Sequence, residues 1–320
     1  MMNENNAQLR EEIIACAKKF GADLVGFGGI ERFAGEEVSN IFPETKTVIA
    51  LAFRVLRGTR RGIEEGTTYY QYTTNGVETL EETVMPMALL QVNNVLEDAG
   101  YTAVPQKKNQ LIMQAESDTN PEMNHEGIYR GREAEHQMDF DRAAVLCGLG
   151  EKGLSGTLLT DDFGPFQRYC FILTDAELEE TPLVVPHLCD NCGECIKACP
   201  GHAIDENGVK DNWQCAAYYR GANMTKNPFM DPKAYADLPN RHEIMAGEAD
   251  LDMEAAIAIL SRTYFYPQVK HGYVSSICGR ACDTACYVHL EEKGVLTRKF
   301  VSNFRRRPEW HLPMIDEEIK

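Results

Sequence analysis

The sequence of 320 residues has no excess of positive charge and no long apolar run, and we expect no export signal. Acidic residues outnumber basic ones by 49 to 32, and the net charge is −17. Because phosphate backbones are bound by clustered Lys and Arg, this balance argues against a nucleic-acid partner, although small basic groups occur at 298–299 and 305–307. No apolar run reaches the roughly 18 residues of a membrane span. The N-terminus, MMNENNAQLREE, is polar and acidic. We therefore expect a cytoplasmic protein that has no membrane partner.

Cysteine, in contrast, is abundant. The chain has eleven, and disulfides are rare in the cytosol, so the count indicates metal or redox chemistry. Four of them have the spacing C-x2-C-x2-C-x3-C, followed by Pro200, which is the bacterial ferredoxin run for a [4Fe–4S] cluster. A structural zinc site is the alternative, but zinc usually draws on two separate CxxC knuckles. The run consists of Cys189, Cys192, Cys195 and Cys199.

Four cysteines further along the chain predict a second cluster. In two-cluster ferredoxins the fourth cysteine of a run ligates the other cluster. The first expected ligand set is therefore Cys189, Cys192, Cys195 and Cys286. The second expected set is Cys199, Cys215, Cys278 and Cys282. Because the last run reads C-x3-C-x3-C and no proline follows it, a single cluster remains the alternative. The other three cysteines lie in apolar stretches and are expected to be small buried residues: Cys16, Cys147 and Cys170.

The first half of the chain alternates between helical and strand patterns. Helices are predicted over QLREEIIACAKKFG, MPMALLQVNNVLEDAG and about residues 139–149, and strands over ADLVGFG, KTVIALAF, YTAVP and YCFILT. This alternation predicts an α/β domain packed in layers. The chain becomes cysteine-rich after Thr181. We therefore predict an α/β domain at residues 1–180, an iron–sulfur domain at 181–292 and a tail at 293–320.

A glycine-rich stretch, LCGLGEKGLSGTLLTDDFGPFQRYCFILTD, precedes the last predicted strand. Gly148, Gly150 and Gly153 match G-x-G-x-x-G, but the stretch follows a helix, whereas a dinucleotide site requires strand, turn and helix in that order. Two other interpretations are a tight loop with positive φ and a backbone surface that lets a large flat cofactor come close.

This stretch, together with the cysteine pattern, resembles corrinoid-dependent reductive dehalogenases and epoxyqueuosine reductases. The segments AKKFGADLVGFGGIERF and KTVIALAFRV look like the N-terminal part of that superfamily. The cysteine run, Cys215 and the final cysteine triplet also follow the same order. The resemblance covers nearly the whole chain in motif order rather than in residue identity. It implies a nitroreductase-like α/β domain that binds base-off cobalamin, followed by a ferredoxin-like domain with two [4Fe–4S] clusters.

The resemblance also implies an activity. Such an oxidoreductase would take electrons from a donor such as ferredoxin or flavodoxin and pass them through both clusters to a corrinoid. From there they would reach a small organic substrate, as in dehalogenation or epoxide reduction. The residues that match the loop near the corrinoid are Gly148, Gly150, Gly153, Gly156, Leu158, Leu159, Thr160, Gly164 and Pro165.

The sequence departs from the family where a proton donor is expected. Epoxyqueuosine reductases have an Asp upstream of the glycine stretch, and no Asp falls in register in GREAEHQMDFDRAA. The candidate catalytic residues are Tyr129, Arg130 and Glu135, because a cation beside Tyr129 favours its phenolate. Further donor candidates are Tyr69, Tyr70, Tyr72 and His136, and His125 and His136 could also be cobalt or iron ligands. The simpler explanation is a half-buried aromatic residue for each tyrosine and a surface residue for each histidine.

Two other functions fit the same cysteines. The chain could transfer electrons or activate a separate enzyme without a corrinoid, or it could be a non-catalytic iron–sulfur sensor or assembly protein. The large α/β domain argues against the last of these, since a ferredoxin alone needs only some 60–80 residues.

Overall fold

The computed structural model describes residues 4–107, 138–262 and 276–314. The chain divides into two compact units and passes between them several times. The first unit comprises Met1–Arg54, Thr79–Lys152 and Gln167–His187. The second unit comprises Val55–Glu78, Gly153–Phe166 and Leu188–Lys320. These two units are interleaved along the chain. The domain boundary near residue 180 stays a prediction.

The regular elements are numbered along the described part of the chain. The α-helices are α1 (Glu4–Lys19), α2 (Val38–Ile41), α3 (Arg57–Glu64), α4 (Met85–Asp98), α5 (Phe140–Leu146), α6 (Glu194–Lys197), α7 (Asn212–Tyr219), α8 (Arg241–Ala246), α9 (Met253–Leu260) and α10 (Ala281–Glu292). The strands are β1 (Leu24–Gly29), β2 (Thr47–Arg54), β3 (Ala103–Gln106), β4 (Glu151–Lys152), β5 (Leu158–Leu159) and β6 (Gln167–Thr174). Tyr72–Glu78 and Leu80–Val84 are π-helical, and Ile30–Phe33 and Met224–Lys226 are 3-10 turns.

The first unit is built on a four-stranded sheet in the order β1-β2-β6-β3. All three pairings are antiparallel, with Ile49 opposite Phe27 on one side and Ile172 on the other. Every residue of β2 except Arg54 is buried, which explains the nearly continuous apolar run in its sequence. The strands predicted from the sequence are therefore confirmed, and the antiparallel pairing is a property that only the structure reveals.

Two helices complete the core of the first unit. Helices α1 and α4 pack against each other, and their buried residues Ile13 and Leu96 belong to the same apolar cluster as Ile49 and Ile172. The predicted helices are confirmed to within a few residues at their ends. The unit is thus a mixed α/β structure, while its nitroreductase-like layering stays a prediction.

The second unit contains short helices and much irregular chain. Its apolar cluster includes Tyr218 from α7, Met245 from α8 and Ile259 from α9. Aspartates cap two of these helices: the carboxylate of Asp211 accepts a hydrogen bond from the Gln214 amide, and that of Asp252 accepts one from the Ala255 amide. Within the described residues, no helix combines the length and the apolar character that crossing a membrane requires.

Candidate iron–sulfur centre

The first predicted cysteine set lies at the junction of two helices of the second unit. Cys195 is in α6, which begins after Gly193, and Cys286 is in α10, which packs against α6. Gly193 has φ 76°, a left-handed conformation that favours glycine, and it turns the chain between Cys192 and Cys195. Cys195 is buried, whereas Cys192 is exposed. One side of this set therefore faces solvent.

The four thiols of this set lie close enough for their charges to interact. Burial raises the pKa of Cys286; the negative charges of Asp283 and of the thiolates of Cys195, Cys189 and Cys192 raise it further. Burial likewise raises the pKa of Cys195, with added repulsion from Cys192 and Cys189. Four thiolates this close would repel one another unless a cationic centre lay between them, so the donor set fits a metal cluster.

The second predicted set lines a cavity of about 120 Å³ in the same unit. Its sulfur ligand candidates come from α7, from α10, from the segment just after α6 and from the segment just before α10: Cys199, Cys215, Cys278 and Cys282. Burial and the charges of Cys215 and Cys199 raise the pKa of Cys278 to about 12. Burial is also the main cause of the raised pKa values of Cys215 and Cys282. A cavity whose lining includes four thiols again fits an iron–sulfur cluster.

Helix α10 joins the two sets. Cys282 and Cys286 lie four residues apart, and therefore on one helical face. The Cys282 thiol is close enough to feel the charges of Cys278 and Cys215, whereas Cys286 feels those of the first run. The structure thus brings the eight cysteines together in the crossed arrangement that the ferredoxin rule predicts. That all eight ligate clusters stays a prediction.

Backbone amides are directed at the sulfur atoms. The amide of Leu154 donates to Cys189 Sγ at 3.3 Å, and the amide of Ala203 donates to Cys199 Sγ at 3.3 Å. Such hydrogen bonds stabilise thiolates and help to set cluster potentials. In each predicted set, a backbone hydrogen bond therefore stabilises the thiolate form of at least one cysteine.

A buried ion-pair network adjoins the second set and was missed by the sequence analysis. The carboxylate of Asp283 lies 3.3 Å from Arg60 and 2.7 Å from Arg280, and it accepts a hydrogen bond from the Thr157 hydroxyl at 3.2 Å. Asp283 and Arg60 are only 2% and 3% exposed. The position of Asp283 directly after a ligand candidate, Cys282, is the one sequence signal that could have drawn attention to it.

Arg60 is held by aromatic rings as well as by charge. Its guanidinium carbon lies 4.6 Å from the centre of the Tyr72 ring and 4.3 Å from that of Phe166. It also donates to the carbonyl of Gly279 at 3.0 Å. This arginine therefore fixes the chain just before α10, next to Cys278.

The glycine stretch is divided between the units, with Gly148 and Gly150 in the first and the other matched residues, from Gly153 to Pro165, in the second. Gly148 has φ 75°, and a Cβ there would lie 2.6 Å from the Pro182 carbonyl oxygen. Gly156 has φ 80° and Gly164 has φ 54°. The tight-loop interpretation thus accounts for these three glycines without a cofactor. The matched residues of the second unit other than Gly156 are buried: Gly153, Leu158, Leu159, Thr160, Gly164 and Pro165.

The predicted catalytic residues lie outside the described part of the chain: Tyr129, Arg130 and Glu135, as well as His125 and His136. Of the further tyrosine candidates, Tyr69 and Tyr72 are buried and Tyr70 is 45% exposed. The Tyr69 hydroxyl is buried without a hydrogen-bond partner, and burial raises its pKa. The phenol of Tyr69 therefore stays protonated at neutral pH, and its role as a proton donor stays a prediction.

Comparison with protein families supports the iron–sulfur interpretation. The family model "4Fe-4S binding domain" matches residues 182–205, a span that contains the whole first cysteine run and ends before Cys215. The chain therefore contains a ferredoxin-type iron–sulfur segment. The number of clusters stays a prediction.

Two groups of curated proteins are similar to part of the chain. The tetrachloroethene reductive dehalogenase of Desulfitobacterium hafniense is 42% identical over 64 residues, which is 19% of this chain and 12% of that protein. The epoxyqueuosine reductase of Synechocystis sp. is 34% identical over 94 residues, which is 29% of this chain and 31% of that protein. The matches thus span less than a third of the length of either relative.

Solved structures of the same two groups are also similar. A selenomethionine-labelled epoxyqueuosine reductase has a TM-score of 0.47 at 15% identity, with 90% of this chain and 83% of that chain covered. A catabolic reductive dehalogenase has a TM-score of 0.47 at 19% identity, with 81% and 36% covered. An epoxyqueuosine reductase with an epoxyqueuosine-modified tRNA stem loop has a TM-score of 0.44 at 15% identity, with 90% and 83% covered.

The chain is an iron–sulfur protein. More particularly, it is related to the epoxyqueuosine reductases and reductive dehalogenases, which confirms the predicted resemblance to their superfamily.

Proposed function

We propose that the protein is an oxidoreductase that passes electrons one at a time through two [4Fe–4S] clusters to a reducible substrate. The single observation that carries this proposal is the gathering of eight cysteines into two neighbouring sets, joined by α10. The relatives, which are reductases by name, support the reductive direction. When bound, the clusters would supply reversible one-electron transfer.

The protein's own residues would hold and tune these clusters. Eight thiolates would bind the irons, and the amides of Leu154 and Ala203 would stabilise two of the sulfurs. The ion pair of Arg60 and Asp283 would hold the chain around Cys278 and Cys282 in place, because both side chains are buried in the second unit. The second set lines a cavity and its cysteines are partly buried, which would limit the contact of its cluster with water.

The substrate is one of two kinds. The curated relative with the larger matched share is an epoxyqueuosine reductase, and the epoxyqueuosine of that enzyme class occurs in tRNA. An epoxide in a modified tRNA is therefore the first substrate to test, even though the net charge of −17 argues against nucleic acid. A small halogenated or epoxide-bearing organic molecule is the substrate that the sequence analysis favoured. Turnover of one and not of the other would decide between them.

Cobalamin is proposed on resemblance alone. The positive φ angles of Gly148, Gly156 and Gly164, with the close packing at Gly148, account for three of the five glycines without a cofactor. This observation favours a second candidate function, in which the protein reduces a partner enzyme or activates it without a corrinoid. Anaerobic titration with cobalamin separates the two, because a base-off corrin spectrum on addition would favour the reductase with bound corrinoid.

The experiment that tests the proposed function is an anaerobic measurement of iron content and absorption spectrum. Two clusters predict about eight iron atoms per chain, whereas one cluster predicts about four. In Cys286→Ser and Cys278→Ser variants the iron content should fall by about half, since each removes a ligand of a different set. Cys16→Ser is the control and should keep all the iron. A wild-type protein with about four irons would overturn the two-cluster relay.

A further inference from the structure

The chain contains one strongly basic segment despite its acidic composition. Residues 293–308, here called the basic segment, follow α10 and contain no Asp or Glu. Their six cationic residues are Lys293, Arg298, Lys299, Arg305, Arg306 and Arg307. Three of them pair with carboxylates, Lys293 with Asp190, Arg305 with Glu64 and Arg307 with Glu65. In a protein of net charge −17, the local positive field of the segment therefore comes from Arg298, Lys299 and Arg306.

The basic segment presents both charge and apolar surface. Arg298, Lys299 and Arg306 are exposed. Phe300 is 51% exposed and Val301 is fully exposed. Exposed apolar side chains beside cations are typical of a surface that another protein covers.

The segment is fastened to the helix that carries the cysteines. Phe304 is completely buried, and its ring centre lies 5.6 Å from that of Tyr287, the residue after Cys286. The Phe304 amide donates to the carboxylate of Glu291 at 2.6 Å. The segment is therefore held firmly against α10 rather than projecting from it.

A second contact joins the segment to the first cysteine set. Lys293 Nζ lies 2.8 Å from the carboxylate of Asp190, which directly follows Cys189. Cys192 of the same set is exposed, whereas the second set surrounds a cavity. The basic segment thus lies beside the set that solvent, and hence a partner, can approach.

From this placement we propose that the basic segment is the docking surface for an acidic protein that donates single electrons, and that electrons enter at the set of Cys189, Cys192, Cys195 and Cys286. The inference rests on the proposed function. Each encounter would oxidise the donor by one electron and reduce the cluster of the first set by one electron, and no bond would form or break. Complementary charge steers such short-lived redox encounters, whose interfaces are small.

A nucleic acid fits this surface less well than an acidic protein. Single-stranded nucleic acid stacks its bases on open aromatic rings, but the guanidinium of Arg57 lies 4.1 Å from the centre of the Phe300 ring. The guanidinium therefore covers one face of the Phe300 ring, and a base cannot stack on that face. Val301 offers an aliphatic contact that a protein partner can bury.

The test measures how fast an acidic donor reduces the clusters. In the variant R298E/K299E/R306E, stopped-flow reduction by dithionite-free reduced flavodoxin at low salt should slow by about tenfold or more, because steering raises association rates by 10 to 1,000-fold. The dependence on ionic strength should also weaken. The matched control, K18E/K46E/K233E, changes exposed lysines outside the segment by the same total charge and should keep the wild-type rate.

Reduction by photoreduced deazaflavin, a small reductant that needs no docking surface, separates folding and cluster content from docking. If deazaflavin reduces both variants like the wild type and only R298E/K299E/R306E is slow with flavodoxin, the docking surface is supported. Equal flavodoxin rates in the two variants would overturn it. A loss of tRNA binding in R298E/K299E/R306E at an unchanged flavodoxin rate would overturn it in favour of nucleic acid. Failure of deazaflavin to reduce the wild type would instead contradict the proposed function.

Discussion

Asp283 is a buried carboxylate between two cysteines of one helix, and two arginines and a hydroxyl surround it. A buried ion pair of this kind stabilises the fold only while both partners are present. If one partner is lost, the other remains as an uncompensated buried charge. Its importance to the second unit can therefore be tested by removing the charge and keeping the shape.

Asp283→Asn should lower the free energy of unfolding by about 3–5 kcal/mol, because Arg60 would stay buried without its carboxylate. Anaerobic guanidinium unfolding measures the change, and iron analysis separates it from cluster loss. Asp237→Asn is the control, since Asp237 pairs with Arg262 at 2.7 Å on the surface, where such pairs contribute little. Equal losses in the two variants would contradict a special role for the buried pair.

The cysteines outside the two sets differ from one another. Cys147 and Cys170 are fully buried, as predicted, whereas Cys16 is only partly buried. Burial raises the pKa values of Cys147 and Cys170, and the Cys147 thiol donates to the Val48 carbonyl at 3.3 Å. Both thiols therefore stay neutral in the folded state at a pH where they would ionise in the unfolded chain.

This shift sets a direction for the pH dependence of stability. Because the folded pKa values of Cys147 and Cys170 lie above the ordinary 9.0, their contribution to the free energy of unfolding is complete below pH 9 and is lost as the pH rises above it.

Iodoacetamide should label Cys16 in the native protein and reach the two buried thiols only after unfolding. Mass spectrometry of the alkylated peptides checks this, and rapid native labelling of Cys170 would contradict it.

At the scale of single elements, β1 shows why the first unit needs a glycine inside a strand. A Cβ on Gly26 would collide with the backbone carbonyl oxygen of Cys147. The loop after α5 thus packs directly on the strand, and only a residue without a side chain allows that approach.

Gly26→Ala should destabilise the protein by about 1–3 kcal/mol, the usual effect of overpacking against a part that cannot move away. Thermal unfolding under anaerobic conditions measures the loss. Gly58→Ala in α3 is the matched control, since a Cβ at Gly58 meets nothing within 4 Å. The control should be neutral or slightly stabilising, because alanine favours helices. An equal loss in both variants would show that the close approach in β1 is unimportant.

At the scale of the whole molecule, the two units should respond differently to the loss of iron. The first unit has a sheet and a large apolar core, whereas the second unit places eight cysteines among short helices. Metal binding is part of the folding free energy where the ligands come from several elements. The clusters should therefore stabilise the second unit above all.

Removing the iron with a chelator should speed amide hydrogen exchange in α6, α7 and α10 and leave β2 and β6 protected. Mass spectrometry of peptides from the exchanged protein measures both regions at once, so that each serves as the reference for the other. Exchange that rises equally in β2 and in α10 would contradict the separate dependence on iron.

The sequence by itself determined the local elements and the chemistry of the cysteines. Helices α1 and α4 and strands β2 and β6 follow from apolar periodicity and terminal glycines, which are local properties of the chain. The ferredoxin run also follows from spacing alone, because three thiolates on one tight loop can bind one cluster.

Only the tertiary structure decided how these parts meet. It paired the strands antiparallel, distributed the glycine stretch over two units, and buried Arg60 beside Asp283, more than two hundred residues away. Such contacts depend on long-range packing, which no local pattern encodes. The resemblance assigned the glycines to a cofactor, whereas the structure explains three of them by the backbone alone. These three have positive φ angles, which glycine adopts readily. At Gly148 a neighbouring carbonyl oxygen also leaves no room for a side chain.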